Sequence, residues 1–597
     1  MCRITTILQI VESFTMGSGR LVGPDSRVLV TSQLTHATAL ERRRPELIIG
    51  LVGAVGTGLD SLDANLTEEL ERVGCAPIRV RIRDLFAGIA PDLGIEISEK
   101  PRDDRRYRAL MNAGDELRLR TARGDAPALL AVGEIRELRD AAADNRPCCA
   151  FIVHSLKNPA EVDTLRTIYG PSFLLIAAYA PEDYRLERLA EQIARERHER
   201  LDHNHRRAAE DLMGRDQNDA KNKGKLGQNV RDTFPLADLF VDVSDRESAR
   251  ISIRRFVECL FGSPFHTPTQ PEYAMFLARA AALRSADLGR QVGAALATSE
   301  GDVVALGTNE VPRAGGGQYW PGDANDDRDF HRELDPNAEH KRIVIAEALR
   351  MLRDSGWLAD RADDEFTEML ENAIRGTDLS PLKGARLMNL IEFVRAVHAE
   401  MSAIIDAARR RISTEGLNLY TTTFPCHECA RHIVAAGIAR VIFIEPYAKS
   451  LARDLHNDAI QVEGEVPVPG GVPFVPFVGI APRLYTTVFT AAEDSRKSSD
   501  GQVRRWQASL GALRQEFQNH PLMTEIGELQ WLSRFRDLLE PRLATHPNES
   551  KVAGFPAAGE NTEKPEGLQL DDRTEISLAA ESDGPESAGG GSATPGH

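Results

Sequence analysis

The stretch Glu46-Leu-Ile-Ile-Gly-Leu-Val-Gly53, running directly into Ala54-Val-Gly56-Thr-Gly58-Leu59-Asp60-Ser61, decides how the first half of the chain is read. A short apolar run rich in branched residues that ends abruptly in glycines reads as a buried strand entering a tight turn. Gly53 and Gly58 stand five apart with Gly56 between them. This is the G-x-x-x-x-G frame of a phosphate-binding loop, in which backbone N–H groups and a helix N-terminus cradle anionic oxygens. The frame is degenerate. Leu59 stands where the lysine for the outer phosphates belongs, and Asp60 where the Mg²⁺-binding hydroxyl belongs. Exchanging a cation for a carboxylate beside phosphates weakens triphosphate binding and phosphoryl transfer. The loop is therefore expected to bind a nucleotide, sense or gate, and not to transfer phosphate efficiently.

Outward from this point, strand-like runs recur at Pro77–Ile82, Cys148–His154, Phe173–Ala180 and Asp238–Val243, separated by charged, helix-length segments such as Glu182–Arg200. That alternation predicts a doubly wound α/β domain with a parallel sheet over residues 46–265. The runs Ala150–Val162 and Tyr169–Ile176 resemble the core of a P-loop nucleotide-kinase-like fold, with Arg195–Arg231 in the position of its lid. A second α/β domain is read over 270–545, beginning with a helix at Pro271–Ser285 and strands at Gln291–Thr298 and Asp302–Thr308. Within it, about 315–390 opens on Gly315-Gly-Gly-Gln-Tyr-Trp-Pro-Gly-Asp and reads as an insertion over the mouth of a site. Residues 1–45 read as a variable arm. Residues 546–597, rich in Gly, Ser, Pro, Glu and Ala, have the composition of a disordered tail.

The chemistry is concentrated in Val397-His398-Ala399-Glu400 and Pro425-Cys426-His427-Glu428-Cys429. One imidazole and two thiolates make three ligands for Zn²⁺ and leave the fourth tetrahedral position to water, the arrangement of a catalytic site. Cys426 and Cys429, three apart at a helix start, point the same way, and the helix N-terminus favours their thiolate form. Glu400 is placed to move protons between a zinc-activated water and a leaving amine. The H-x-E…P-C-x-x-C order is a known signature of zinc deaminases acting on nucleobases.

With Arg284–Ala294 leading into one strand and Gly307–Arg313 closing the next, residues of about 271–490 resemble the cytidine and deoxycytidylate deaminase superfamily. The resemblance implies a cytidine-deaminase-like α/β/α domain with a mixed sheet and places a nucleotide contact on Asn309, which otherwise reads as a turn cap. Arg313, Lys449 and Arg453, in loops after the predicted strands, are candidate phosphate contacts, with ordinary surface charges as the alternative. Over about 46–545 the two-domain order resembles the bacterial anti-phage dCTP deaminases. That likeness implies deamination of dCTP, and of dCMP, to uracil nucleotides, depletion of dCTP in defence against phage, an inhibitory small RNA and a homo-oligomer. Three alternatives stay open: a housekeeping dCMP deaminase, a nucleotide- or RNA-binding sensor that uses the deaminase fold as scaffold, and a base editor of tRNA or DNA.

Composition narrows these. Among 597 residues, 73 Lys and Arg face 90 Asp and Glu, for a formal charge of −17, which argues against a broad electrostatic grip on nucleic acid or anionic lipid. With 6% aromatics, the stacking surface that base editing needs is also sparse. Seven cysteines in a chain this long give no disulfide framework. No apolar run reaches 18 residues and Met1–Arg20 lacks the basic-then-apolar order of a signal, so a cytoplasmic protein without membrane contact is expected.

Overall fold

Every residue of the strand β1 (Glu46–Gly53) beyond Glu46 is buried, and its side chains divide by parity. Ile48 and Val52 enter one apolar core, while Leu47, Ile49 and Leu51 enter another on the opposite face. This is how a parallel strand covered on both sides must behave. A computed structural model supplies the coordinates. It describes residues 45–97, 103–141, 148–218, 226–358, 363–374, 382, 385–447, 449–462, 468–491, 495–517 and 524–525. The predicted arm, apart from Pro45, and the predicted tail lie outside the described residues.

Around β1 stand β2 (Cys75–Arg81), β3 (Cys148–His154), β4 (Phe173–Tyr179) and β5 (Leu239–Asp242), all parallel, in the order β5-β4-β1-β3-β2. The helix α1 (Leu59–Arg72) follows the glycine loop, and Gly58 is its N-cap in the left-handed conformation. Two antiparallel neighbours, α2 (Glu182–Arg197) and α3 (His203–Asn218), form a hairpin after β4, and α4 (Arg246–Leu260) packs on α1.

The second sheet begins after α5 (Gln270–Ala282), a helix whose start is fixed by a Thr269–Glu272 capping box. It holds β6 (Gly293–Ala297), β7 (Val303–Thr308), β8 (Asn418–Thr423), β9 (Arg440–Glu445), β10 (Ile460–Val462) and β11 (Val472–Pro476), ordered β10-β11-β9-β8-β6-β7. β6 runs antiparallel to both β7 and β8, and the remaining pairs are parallel, so the sheet is mixed. The helices α6 (Ala399–Arg409) and α7 (His427–Ala435) pack against each other beside it.

Residues after β11 return to the first sheet. The two-residue strand β12 (Gly479–Ile480) pairs antiparallel with β5 at the sheet edge, making that sheet mixed as well. The helix α8 (Pro482–Phe489) packs on α5 and α4, and Phe477 stacks edge-on against Phe240, 5.8 Å between ring centroids. Leu513 and Phe517 are buried in the core under β1, and the Ser172 hydroxyl donates to the Phe517 carbonyl at 2.6 Å. The stretches read as 46–265 and 270–545 thus share one continuous core, which also contains Ala274, Ala295, Tyr420 and Ile442.

Candidate zinc and nucleotide site

Two glycines let the site assemble. A Cβ on Gly293 would overlap the backbone of α5 at Ala278, and one on Gly307 would overlap the backbone of α6 at Ala399. Only glycine permits helix and strand to approach so closely. α6 is pressed onto β7, and its N-cap is His398. The peptide before that cap is clamped by a two-way bridge in which Val397 N donates to Glu310 O at 3.0 Å and Glu310 N to Val397 O at 3.3 Å. On the other side β8 delivers Pro425 and then Cys426, the N-cap of α7, and the Ser450 hydroxyl holds Pro425 O at 2.8 Å.

Both helices therefore point their N-termini at one place. His398 Nδ1 lies 3.2 Å from Cys426 Sγ and 3.4 Å from Cys429 Sγ, and the Cys429 backbone N–H donates to Cys426 Sγ at 3.4 Å. These three residues form a cluster whose ligand atoms lie within 4.8 Å of one another. An imidazole and two thiols at that separation fit zinc with one position left open. The Cys426 thiol is pushed down to about 4, chiefly by its hydrogen bond with Cys429 and then by His398. Burial disfavours a charged His398, yet the hydrogen bond and charge of Cys426 raise it to about 9. The same Cys426 hydrogen bond, with burial, holds the Cys429 thiol well above its usual range.

Glu400, 4% exposed, accepts from Cys429 Sγ at 3.3 Å. Burial, and then the negative charge on Cys426, raise its carboxyl above the ordinary range. A cavity opens over this cluster. Its polar walls include Asp287, Arg290, Asn309 and Tyr447, and its apolar walls include Ile391, Val394 and Phe424. Ile391 and Val394 follow the predicted insertion directly in the chain.

Asn309 is buried and engaged at both ends of its amide. Oδ1 accepts from Val292 N at 2.7 Å and Nδ2 donates to Arg290 O at 2.7 Å, which fixes the Arg290–Val292 backbone at the cavity wall. A primary amide retains one further N–H and one further lone pair after two such bonds. The Arg290 guanidinium lies 5.3 Å from the centre of the Tyr447 ring. Of the predicted residues, the structure brings together His398, Glu400, Cys426, Cys429 and Asn309. Arg313, paired with Asp323 at 3.1 Å, and the exposed Lys449 and Arg453 are not among the residues that line this cavity. Arg290, Asp287 and Tyr447 were missed. A basic residue just before an apolar strand whose antiparallel partner is followed by Asn309 was the available signal for Arg290.

Residues 268–445 match the family described as the cytidine and deoxycytidylate deaminase zinc-binding region. The chain thus carries a cytidine/deoxycytidylate deaminase family domain, and zinc is its cofactor. Its relatives include ComE operon protein 2 of Bacillus subtilis (strain 168), 36% identical over 74 residues, which are 12% of this chain and 39% of that protein. The deoxycytidylate deaminase of Enterobacteria phage T2 is 43% identical over 54 residues, 9% of this chain and 29% of the relative. The probable deoxycytidylate deaminase of Drosophila melanogaster is 26% identical over 204 residues, 33% of this chain and 72% of the relative. The chain spans well under half the length of the first two.

Proposed function

We propose that this protein hydrolyses the exocyclic amine of deoxycytidine nucleotides, dCTP and with it dCMP, to uracil nucleotides and ammonia. The observation that carries this reading is the buried Glu400 carboxyl group, 3.3 Å from Cys429 Sγ, beside three residues that could hold a metal and lining the same cavity. When bound, zinc supplies a Lewis acid that activates water at neutral pH. Glu400 carries one proton of the attacking water to the ring nitrogen and the second, from the new C4 hydroxyl, to the departing amine. One C–O bond forms at C4 of the base, the C4–N bond breaks, and ammonia leaves. The raised pKa of Glu400 suits a group that must both take and return a proton.

Phe424 gives the base an apolar wall, and Asn309, which also lines the cavity, keeps one N–H and one lone pair for hydrogen bonding. Arg290, whose guanidinium lies 5.3 Å from the centre of the Tyr447 ring, is the proposed phosphate contact. Arg313, Lys449 and Arg453 are proposed only for the outer phosphates of a triphosphate. The relatives named deoxycytidylate deaminase support the substrate class. Preference for dCTP and depletion of that pool against phage rest on the two-part order, a glycine-loop sheet ahead of a deaminase domain. The same order supports a P-loop kinase-like regulatory half, restraint by a small RNA and a homo-oligomer.

The test is ammonia release from dCTP, dCMP, CTP and deoxycytidine, with and without a chelator, by the full chain and by Glu400→Ala. Chelator-sensitive turnover of the deoxycytidine nucleotides that the variant lacks is expected. Turnover that survives the substitution, or none with any of the four on zinc-loaded protein, overturns the reading.

A further inference from the structure

The glycine loop between β1 and α1 holds buried charges that deamination does not use. Asp216, on α3 and 0% exposed, reaches across the fold to accept the Val55 backbone N–H at 2.7 Å. Lys157, from the turn after β3, donates to the same carboxylate at 3.0 and 3.2 Å and to Gly53 O at 3.0 Å. A loop amide and a lysine that converge on one buried anion are the elements a phosphate-binding loop requires. Here the anion is the protein's own side chain, and the cation enters from Lys157 in place of the missing residue at 59.

Two arginines close the other side. A Cβ on Gly56 would stand 2.6 Å from Arg185 O, and one on Gly58 would fall on the Arg188 guanidinium. Arg185 is 7% exposed, lies in the field of Glu182 and Asp216, and its Nη1 has no partner among the described residues. A nearly buried guanidinium with an unmet N–H beside an occupied anion nest indicates capacity for more negative charge than one carboxylate provides.

We propose that the Gly53–Gly58 loop is a polyphosphate-binding site latched shut by Asp216, and that an anion enters only as α3 releases that carboxylate. A carboxylate and a phosphate oxygen compete for the same N–H and the same lysine, so binding and latching exclude each other. Removing the latch charge while keeping its shape should open the site.

The probe is inorganic pyrophosphate, titrated calorimetrically into the full chain, into Asp216→Asn and into Asp216→Asn/Lys157→Met. Asp216→Asn is expected to bind at least about tenfold more tightly than the unaltered chain, and the double variant to lose that gain, because a charge-assisted contact has been exposed and then removed. Equal binding by the unaltered chain and Asp216→Asn, or by neither, overturns the proposal. If Asp216→Asn does not fold, hydrogen exchange on the unaltered chain decides. Pyrophosphate should then speed exchange along His203–Asn218 while Val55 stays protected, and no change in that helix at any concentration overturns the latch. Because the readout is anion binding, its failure leaves the deamination test untouched.

Discussion

At the scale of single residues, Arg290 separates two accounts of how phosphate is held. Its carbonyl accepts from Asn309 and its exposed guanidinium lies 5.3 Å from the centre of the Tyr447 ring, so it can present a charge to the cavity. Arg290→Glu is expected to raise KM for dCMP and dCTP about tenfold or more, the loss of a charge-assisted contact plus added repulsion, and to leave deoxycytidine nearly unchanged. Steady-state kinetics on the three substrates checks this, and an equal effect on the nucleoside removes the assignment. Lys449→Glu should show the same selectivity only for the triphosphate. The His398, Cys426 and Cys429 cluster and the neighbouring Glu400 were legible because they lie in two short motifs with fixed spacing. Arg290 was not, because its place at the wall follows from a hydrogen bond to Asn309, just beyond the next strand.

At the scale of elements, helix-to-strand distance sets the spacing of the His398, Cys426 and Cys429 cluster. Gly307→Ala places a methyl group against the Ala399 carbonyl, so α6 must move away from β7 and carry His398 and Glu400 with it. The variant should bind zinc substoichiometrically by metal analysis and melt earlier, with overpacking costing about 1–3 kcal/mol. A second contact, between α1 and α4, is electrostatic. Glu69 is fully buried yet paired with Arg72 at 2.6 Å and Arg254 at 2.9 Å, and although burial opposes its charge, the two guanidinium groups hold its carboxyl below the usual range. A depressed carboxyl contributes stability that is complete above the unfolded value of about 4.3 and is lost as pH falls through the folded one. Glu69→Gln should therefore cost about 1–3 kcal/mol near pH 7 and progressively less below pH ~4, measured by denaturant unfolding at both pH values.

At the scale of the whole molecule, β12 and the segment after it tie the second sheet to the first. Glu272 marks the junction: it caps α5, pairs with Arg255 of α4 through two contacts of 2.8 Å, and accepts the Ile480 N–H of β12 at 2.8 Å. With a core continuous across both sheets, calorimetry of the full chain should show the two halves unfolding in a single transition, and Ile480→Asp should lower that transition as a whole. Two separated transitions would show the halves to be independent. No helix among the described residues is long and apolar enough to cross a membrane.

The sequence by itself determined the β1 strand and its glycine turn, the positions of the strands that follow, and the two motifs that supply the His398, Cys426 and Cys429 cluster with Glu400 beside it. Each of these depends on residues within a few positions of one another, where periodicity, capping and helix spacing act directly. Only the tertiary structure decided that Gly479–Ile480 completes the first sheet, that Arg290 reaches the cavity, and that Asp216 fills the glycine loop from 161 residues away. A buried carboxylate finds its partner by where the helices pack, and no local pattern around Asp216 marks the amide it will meet.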